Sequence, residues 1–400
     1  MKLAIIGFGN IGSGIEELVY INRERLNNVT GKNIEIKTVL VKNIEKDRKY
    51  FDKNLVFTDD FNVILNDSEI DTIVEVTATE DEAYEYISKA FKAGKNVVTA
   101  NKAVVSKYYE ELRELSLKEN VNFLYEASVG GGIHIIKSIL EDLPFNNITK
   151  VNGILNGTCN FILTEMASKK MSFENALKKA QELGYAEPDP SADIRGMDTL
   201  RKIRILATLI FNSKVNESNI FSFGIEKVIS KDIKFLSQNS YYLKLLGEAE
   251  YINNKYYCYV LPVAVDINSK FFNIENSTNI ISYQGSTIGE VSFVGAGAGK
   301  KPTVDAILRD LLDIMNKTAI SNNILITENL PLSNMDLVSK FYLRISKKYS
   351  SLVTGIESQK IEDENNLYIF TKNIKLKKVL DIISNLDDKN YFFAKLESEV

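Results

Sequence analysis

The first residues of the chain constrain its fold more than any other stretch. Lys2-Leu3-Ala4-Ile5-Ile6 has the composition of a buried strand. It runs into Gly7-Phe8-Gly9-Asn10-Ile11-Gly12, after which Ile15, Leu18, Val19 and Tyr20 recur at helical spacing. Strand, glycine turn and helix in that order form a dinucleotide-binding arrangement. Gly7 permits the tight turn and Gly9 lets the main chain approach a pyrophosphate. Gly12 allows the helix to pack closely, with its N-terminus facing negative charge. Further strand-like runs at 35–41, 72–77, 96–99 and 122–126 alternate with helical patterns at 82–93 and 107–118. That alternation implies a parallel, doubly wound sheet, so residues 1–130 read as a Rossmann-type α/β domain.

Beyond residue 131 the pattern changes. β-rich runs at 149–154, 256–265, 280–283 and 289–294 are interrupted by helices, which predicts an α+β domain over 131–299 whose sheet supplies substrate contacts and a dimer surface. Gly295-Ala296-Gly297-Ala298-Gly299 then leads through Pro302 and Thr303 into a helical pattern at 300–317 that completes the first domain. A glycine loop at a helix start suits a nearby cofactor, and equally an ordinary left-handed turn. After a polar connector, 338–400 reads as a small unit with strands at 340–345, 367–371 and 391–396 and a helix at 374–383. Roughly sixty residues are marginal for independent folding, so this unit is expected to dock or to pair with another copy.

The chemistry concentrates between Leu183 and Lys202, where Glu187, Asp189, Asp193 and Asp198 precede Lys202. Pro188 and Pro190 hold the acidic loop extended. Ile203, Leu206 and Ile210 then mark a helix on which Asp198 and Lys202, four apart, share a flank. Carboxylates fixed beside a lysine suit a small ammonium-bearing substrate that must lose or gain a proton. The bland alternative is a surface ion pair next to a solvated acidic loop.

Bulk properties narrow the choice. A net charge of −4 with lysines spread along the chain offers no basic stripe, so neither nucleic acid nor an anionic membrane is an expected partner. The opening apolar run is too short for a signal-peptide core and no later run has the length of a membrane span, so a cytoplasmic address is expected. Only Cys159, Cys258 and a single histidine, His134, are present, which disfavours a disulfide framework and a His/Cys zinc site. Lysine and carboxylates must carry the reaction.

Several stretches, in order, resemble the homoserine dehydrogenases. They are Gly7 to Gly12; Val97-Val98-Thr99-Ala100-Asn101-Lys102-Ala103; Glu126-Ala127-Ser128-Val129-Gly130-Gly131-Gly132-Ile133; Asn152-Gly153-Ile154-Leu155-Asn156-Gly157-Thr158; Gly184 to Lys202; and the late glycine loop. The resemblance implies interconversion of L-homoserine and L-aspartate 4-semialdehyde with NAD or NADP, on the route to threonine, methionine and isoleucine, in a homodimer or higher homo-oligomer. It implies Lys202 as proton donor and acceptor, with Asp198 binding and orienting the substrate. Lys102 is implied as a second functional lysine, which either lowers the pKa of Lys202 from the ordinary ~10.4 as a neighbouring cation or itself polarises the substrate oxygen. Glu187 is implied as a further substrate ligand, and Tyr185, Asp193, Gly157 and Thr158 as pocket lining. Cofactor contacts are implied at Gly7, Phe8, Gly9, Asn10, Ile11, Gly12, Thr77, Thr99, Lys102, Gly184 and Gly299. A structural monovalent cation, Na+, is implied at Glu126, Val129, Gly131 and Ile133, where one carboxylate and carbonyl oxygens form a cage of hard ligands.

The chain departs from the family pattern in places. His134 replaces a usual proline, Thr77-Ala78-Thr79 replaces a Gly-Gly pair, and Ala296 replaces a common proline. The tail resembles a shortened ACT regulatory domain without its first helix and glycine-leucine turn between Ile345 and Glu357, so threonine inhibition is not expected. The second strand ends in Val41-Lys42-Asn43 with Arg48 nearby, where an NAD site carries Asp or Glu, so Lys42 points to NADP with NAD tolerated. Two other readings stay open at this stage. One is a different amino-acid semialdehyde oxidoreductase, which in phosphorylating form needs Cys159 as nucleophile. The other is a catalytically inactive nucleotide-binding sensor that signals through its tail.

Overall fold

A computed structural model describes residues 1–320, 326 and 328–397. The chain forms two compact units, Met1–Phe145 with Asn212–Lys214 and Ala298–Glu328, and Asn146–Phe211 with Val215–Gly297 and Asn329–Val400.

The main elements of the first unit are β1 (Lys2–Ile6), α1 (Asn10–Ile21), β2 (Glu35–Leu40), β3 (Val56–Thr58), β4 (Thr72–Glu75), α2 (Glu80–Lys92), β5 (Asn96–Thr99), α3 (Lys102–Lys118), β6 (Phe123–Leu124) and α4 (Ile135–Asp142), together with the helix Lys300–Asn316. Among the described residues, six strands make one parallel sheet in the order β3-β2-β1-β4-β5-β6. Strand order reverses between β1 and β4, and in open α/β sheets the ligand crevice lies beyond the strand ends at that reversal. Leu3 and Ile5 of β1, Val74 of β4 and Val98 of β5 share a core with Ile15 of α1 and with Val304, Ile307 and Leu311 of the Lys300–Asn316 helix.

Three details correct the sequence reading. The first unit runs to Phe145 rather than 130, because the Glu126 carboxylate accepts the N–H groups of Ile136 and Lys137 at the start of α4. Lys137 in turn pairs with Asp313 at 2.7 Å on the Lys300–Asn316 helix, which fastens α4 to this unit. Helix α3 begins at Lys102 instead of near 107, since the Asn101 side chain accepts from the N–H groups of Ala103 and Val104 and caps it. Strand β3 was not foreseen: it has three residues and only Thr58 is buried.

The second unit contains β7 (Ile148–Ile154), α5 (Gly157–Ser168), α6 (Phe173–Glu182), α7 (Met197–Phe211), α8 (Ser230–Gln238), β8 (Tyr242–Ile252), β9 (Lys255–Val265), β10 (Thr278–Gly285), β11 (Gly289–Ala296), β12 (Phe341–Ser346), β13 (Glu357–Glu362), β14 (Asn366–Thr371), α9 (Leu376–Ser384) and β15 (Phe392–Leu396). Its main sheet follows the order β11-β10-β7-β8-β9-β15-β12-β14-β13. The expected separate domain at 338–400 is therefore part of this sheet, apart from residues 398–400, which lie outside the described residues. Its strands, with the 3-10 turn Lys347–Val353 and α9, make a β-α-β-β-α-β unit of the split-βαβ type. The unit does not stand alone because β15 pairs in parallel with β9 through Val263 to Lys395 and Ala264 to Leu396. One apolar core runs from Ile154 and Leu261 to Phe341 and Phe393.

Two buried ion pairs reinforce this junction. Lys395 on β15 donates to Glu248 of β8 at 2.8 Å and to the Tyr259 hydroxyl of β9 at 2.9 Å. Arg344 of β12 donates to Asp232 of α8 at 2.8 Å, and the Tyr342 hydroxyl donates to the same carboxylate oxygen at 2.6 Å. Burial drives the Glu248 carboxyl up, but Lys395 and Lys150 hold it below its ordinary value. Lys395→Met leaves that carboxylate buried without its cation and should cost about 3–5 kcal/mol of stability by urea denaturation. Adding Glu248→Leu should recover most of the loss; a double variant as unstable as Lys395→Met would show that the stranded charge is not the cause.

Candidate active site

The nucleotide end of the first unit is shaped by close main-chain approaches. Gly7 has a φ of +96°, and a Cβ on Gly12 would stand 2.2 Å from the Gly7 carbonyl oxygen, so neither position accepts a side chain without distortion. A Cβ on Gly9 would meet nothing within 4 Å, leaving open space over the start of α1. An exposed glycine main chain ahead of a helix N-terminus fits a pyrophosphate. Phe8 packs edge-on against Phe57 at 5.2 Å between centroids, and Ile11 packs on the first unit's core, so both serve the turn by anchoring it. Asn10 is exposed at the first turn of α1.

Glu75, the last residue of β4, organises the opposite wall of the crevice. It is fully buried, and its carboxylate accepts the Thr77 N–H, the Thr77 hydroxyl and the Thr99 hydroxyl, each at 2.6 Å. Burial pushes its carboxyl up from the ordinary value against the pull of the threonine donors. Asn101 completes the cluster by donating to the carbonyls of Thr77 and Thr79 at 3.3 and 3.1 Å while it caps α3. Thr77 and Thr99 are thus brought together, and Lys102 opens α3 at the carboxyl end of β5. Glu75 and Asn101 were not among the candidate site residues. The available signal was an acid inside an otherwise apolar strand.

Just past β2, Lys42 pairs with Glu82 of α2 at 2.8 Å and is largely exposed. Lys42 holds the Glu82 carboxyl below its usual value. Arg48 donates to the carbonyls of Asn43 and Lys46 and lies over the Phe57 ring. Gly299, with a φ of +116°, stands at the N-cap of the Lys300–Asn316 helix.

At the turn expected to hold a cation, both Glu126 carboxylate oxygens accept main-chain N–H groups of α4 at 2.9 and 2.7 Å. Burial raises the Glu126 carboxyl to about 7. The carbonyls of Glu126 and Gly130 accept from Val129 and Ile133 respectively, which folds Val129, Gly131 and Ile133 into one tight turn. Among the described residues, no three His, Cys, Asp or Glu side chains are grouped to hold a metal.

The lysine–carboxylate cluster lies in the second unit, where β7 gives way to α5. Lys202 of α7 donates to Asp198 at 2.8 Å and to the Leu155 carbonyl at 2.7 Å. Asn156 donates to Asp193 at 2.7 Å and to Asp198 at 2.9 Å, while its side-chain amide oxygen caps α5 by accepting the Cys159 N–H. Thr158 donates its hydroxyl to the Tyr185 carbonyl at 2.6 Å. A Cβ on Gly157 would stand 2.7 Å from the Ser277 carbonyl oxygen, so this glycine serves packing under the loop. Lys202 is 7% exposed and Asp198 5%, which removes the surface ion-pair reading. Tyr185 and Glu187 are exposed on the loop that follows α6, and Gly184 begins that loop with a φ of +76°. Gly184 therefore belongs to the second unit, unlike the other expected cofactor contacts.

Asn156 is the residue that unites this cluster, and no role was assigned to it from sequence although its motif was noticed. Cys159 is fully buried, its thiol is pushed well up by burial, and it donates to the Asp193 carbonyl at 3.2 Å. A thiol kept protonated in this way is not a nucleophile, so the phosphorylating alternative loses its essential group.

A Rossmann-type nucleotide unit together with a second α/β unit that buries a lysine–carboxylate pair defines an NAD(P)-binding oxidoreductase. Residues 7–126 match the family model for the homoserine dehydrogenase NAD binding domain, and residues 135–312 match that for homoserine dehydrogenase. The homoserine dehydrogenase of Bacillus subtilis is 31% identical over 97% of this chain and 95% of its own length. That of Methanocaldococcus jannaschii is 36% identical over 80% of this chain and 99% of its own. The crystal structure of a homoserine dehydrogenase from Thiobacillus denitrificans superposes with a TM-score of 0.88 at 28% identity, covering 99% of this chain and 98% of that one. The chain belongs to the homoserine dehydrogenase family.

Because Asn156 holds both Asp193 and Asp198, Asn156→Ala should raise the KM for homoserine by about tenfold or more, the cost of losing hydrogen bonds to charged groups. The KM for the nucleotide should stay within twofold. Steady-state kinetics check this, and an unchanged homoserine KM would remove Asn156 from the site.

Proposed function

We propose that the protein interconverts L-homoserine and L-aspartate 4-semialdehyde, with Lys202 moving the proton at the substrate oxygen and NADP as the favoured nucleotide. The carrying observation is the burial of Lys202 between Asp198 and the Leu155 carbonyl. The nicotinamide, when bound, supplies the hydride chemistry. In the oxidising direction Lys202, as the amine, would take the proton from the hydroxyl oxygen of the carbon whose hydride the nicotinamide would accept. In the reducing direction, as the ammonium, it returns a proton to the carbonyl oxygen. Two fixed acceptors hold Nζ in place, so little reorganisation accompanies the transfer. Asp198, Asp193 and Glu187 supply negative charge for the substrate ammonium, and Thr158 and Tyr185 border them. Lys102 adds positive charge at the carboxyl end of β5.

In this reading the first unit takes the nucleotide along Gly7–Gly12, with Thr77, Thr99 and Gly299 as further contacts of the same unit. The open main chain at Gly9 supports this placement. A monovalent cation, Na+, would be held at the turn of Glu126, Val129, Gly131 and Ile133, where main-chain carbonyls would supply hard oxygen ligands. The Glu126 carboxylate stays with α4, whose N–H groups already fill it. The enzyme acts as a homodimer in threonine, methionine and isoleucine synthesis, with the edge strand β11 open for subunit pairing. A cytoplasmic setting accords with the absence, among the described residues, of any helix long and apolar enough to cross a membrane. The tail is read as a shortened ACT-like unit whose first helix is reduced to the turn Lys347–Val353.

Lys202→Ala should lower kcat by about a hundredfold or more, as expected for loss of a general acid–base, with nucleotide Kd unchanged. Cys159→Ser should keep turnover. Near-normal turnover in Lys202→Ala, measured as homoserine-dependent nucleotide reduction, would refute the role. Lys42→Ala should raise the KM for NADP about tenfold while leaving that for NAD nearly unchanged, since only NADP offers a 2′-phosphate to the ammonium. Equal effects on the two nucleotides would count against the NADP assignment.

A further inference from the structure

We propose that the first unit carries a second ligand site, for a small aliphatic monocarboxylate, in the cavity beside β6, with Arg113 as its anion-binding group. The cavity opens between the C-terminal half of α3, β6, α4 and the Lys300–Asn316 helix. Its lining shares Glu126 with the turn read as a cation site, but none of the lining residues belongs to the glycine turn, the Glu75 cluster or the Lys202 cluster, so the inference stands apart from the proposed reaction.

Arg113 is 7% exposed, and neither of its terminal nitrogens has a hydrogen-bond partner among the described residues. Buried polar groups are almost always satisfied, and a guanidinium taken out of water without an acceptor is costly, so such a group calls for an acceptor that none of the described residues supplies. The polar neighbours are already engaged. The Tyr125 hydroxyl donates to Tyr109 at 2.8 Å, and Lys137 pairs with Asp313 at 2.7 Å. Glu126 accepts from the start of α4, and Asp310 accepts the Glu126 N–H at 3.0 Å. Lys137 pairs with Asp313, burial pushes the Glu126 carboxyl up, and burial with the Glu126 and Asp313 charges pushes the Asp310 carboxyl well up, so neither Glu126 nor Asp310 favours its charged form and Arg113 is left as the group in want of a counter-charge.

The ligand class follows from the walls. Two outer nitrogens in one plane match the two oxygens of a carboxylate. Apart from Ser116, whose hydroxyl donates to the Arg113 carbonyl at 2.8 Å, the remainder of the lining is apolar, with Leu117, Val121, Phe123, Leu124 and Leu140, and suits a short aliphatic chain. An ammonium on the ligand would have to compete for carboxylates that are already occupied, so a plain acid is preferred over a zwitterion.

The test uses the full-length protein with 3-methylbutanoate, its uncharged isostere 3-methylbutanamide, and L-leucine, read by isothermal titration and thermal unfolding. The carboxylate should bind saturably and, at ten times its Kd, raise the unfolding midpoint by about 2–4 °C. The amide and L-leucine should bind at least about tenfold more weakly, and Arg113→Met should weaken the carboxylate by a similar factor. Leu140→Trp, which keeps Arg113 and fills the apolar end, should also abolish the shift and serves where Arg113→Met does not fold. Absence of saturable carboxylate binding to the unaltered protein, or equal binding of the amide, would overturn the site. Undiminished binding in either variant would do the same, and tighter binding of L-leucine would overturn the ligand class.

Discussion

A carboxylate taken out of water has to be met by several donors, and in this chain the donors that meet three buried carboxylates are the elements that build the sites. Glu75 gathers the loops after β4 and β5 through Thr77 and Thr99. Glu126 draws α4 onto the first unit. Asp198 receives Lys202 from its own helix and Asn156 from the β7–α5 junction. In each case one acid fixes two segments that the glycine turn or the apolar pattern alone would leave free to shift. The geometry of the Glu75 wall and of the Lys202 cluster is therefore a by-product of charge satisfaction as much as of core packing.

This explains which parts of the molecule were legible in the sequence. The β1–Gly7–α1 turn and the alternating strands were readable because local steric demands and apolar periodicity dictate them. Asp198 and Lys202 were readable because helical spacing places them side by side. Glu75, Asn101 and Asn156 were not, since each acts on a neighbour delivered by a different segment, and nothing local distinguishes such an asparagine from a turn residue. Strand β8 was missed for a related reason. Lys244, Gly247 and Glu248 break its apolar run, yet all lie inside, and the partner that makes Glu248 tolerable, Lys395, arrives from the far end of the chain. Strand β13 was missed because it is a polar, mostly exposed edge.

The nucleotide end shows a competition that local reading cannot resolve. Lys42 suits a 2′-phosphate, but Glu82 of α2 holds it at 2.8 Å. An exposed pair of this kind contributes only about 0–1 kcal/mol. A phosphate carries more charge and offers several acceptors, so it can take the ammonium at small cost to α2. Glu82 then acts as a placeholder that keeps Lys42 near the end of β2. Arg48, tied to main-chain carbonyls and the Phe57 ring, adds positive potential with its side chain already ordered.

The tail bears on the Lys202 cluster through the sheet. Asn152 of β7 stands opposite Glu248 of β8, which stands opposite Tyr259 of β9, and Lys395 of β15 reaches both Glu248 and Tyr259. A polar row thus crosses four strands and ends on β7 only four residues before Asn156. Lys395, Glu248 and Tyr259 are buried and joined through the Lys395 ammonium, while the Asn152 side chain accepts from Lys270, and a buried network of this kind loses more than one bond's worth of stability when a member is removed. The tail therefore supplies the cation that lets β8 carry an acid through the core, and with it the register of β7 that delivers Leu155 and Asn156 to Lys202. Whatever effector the tail does or does not bind, its last strand is a structural requirement of the second unit.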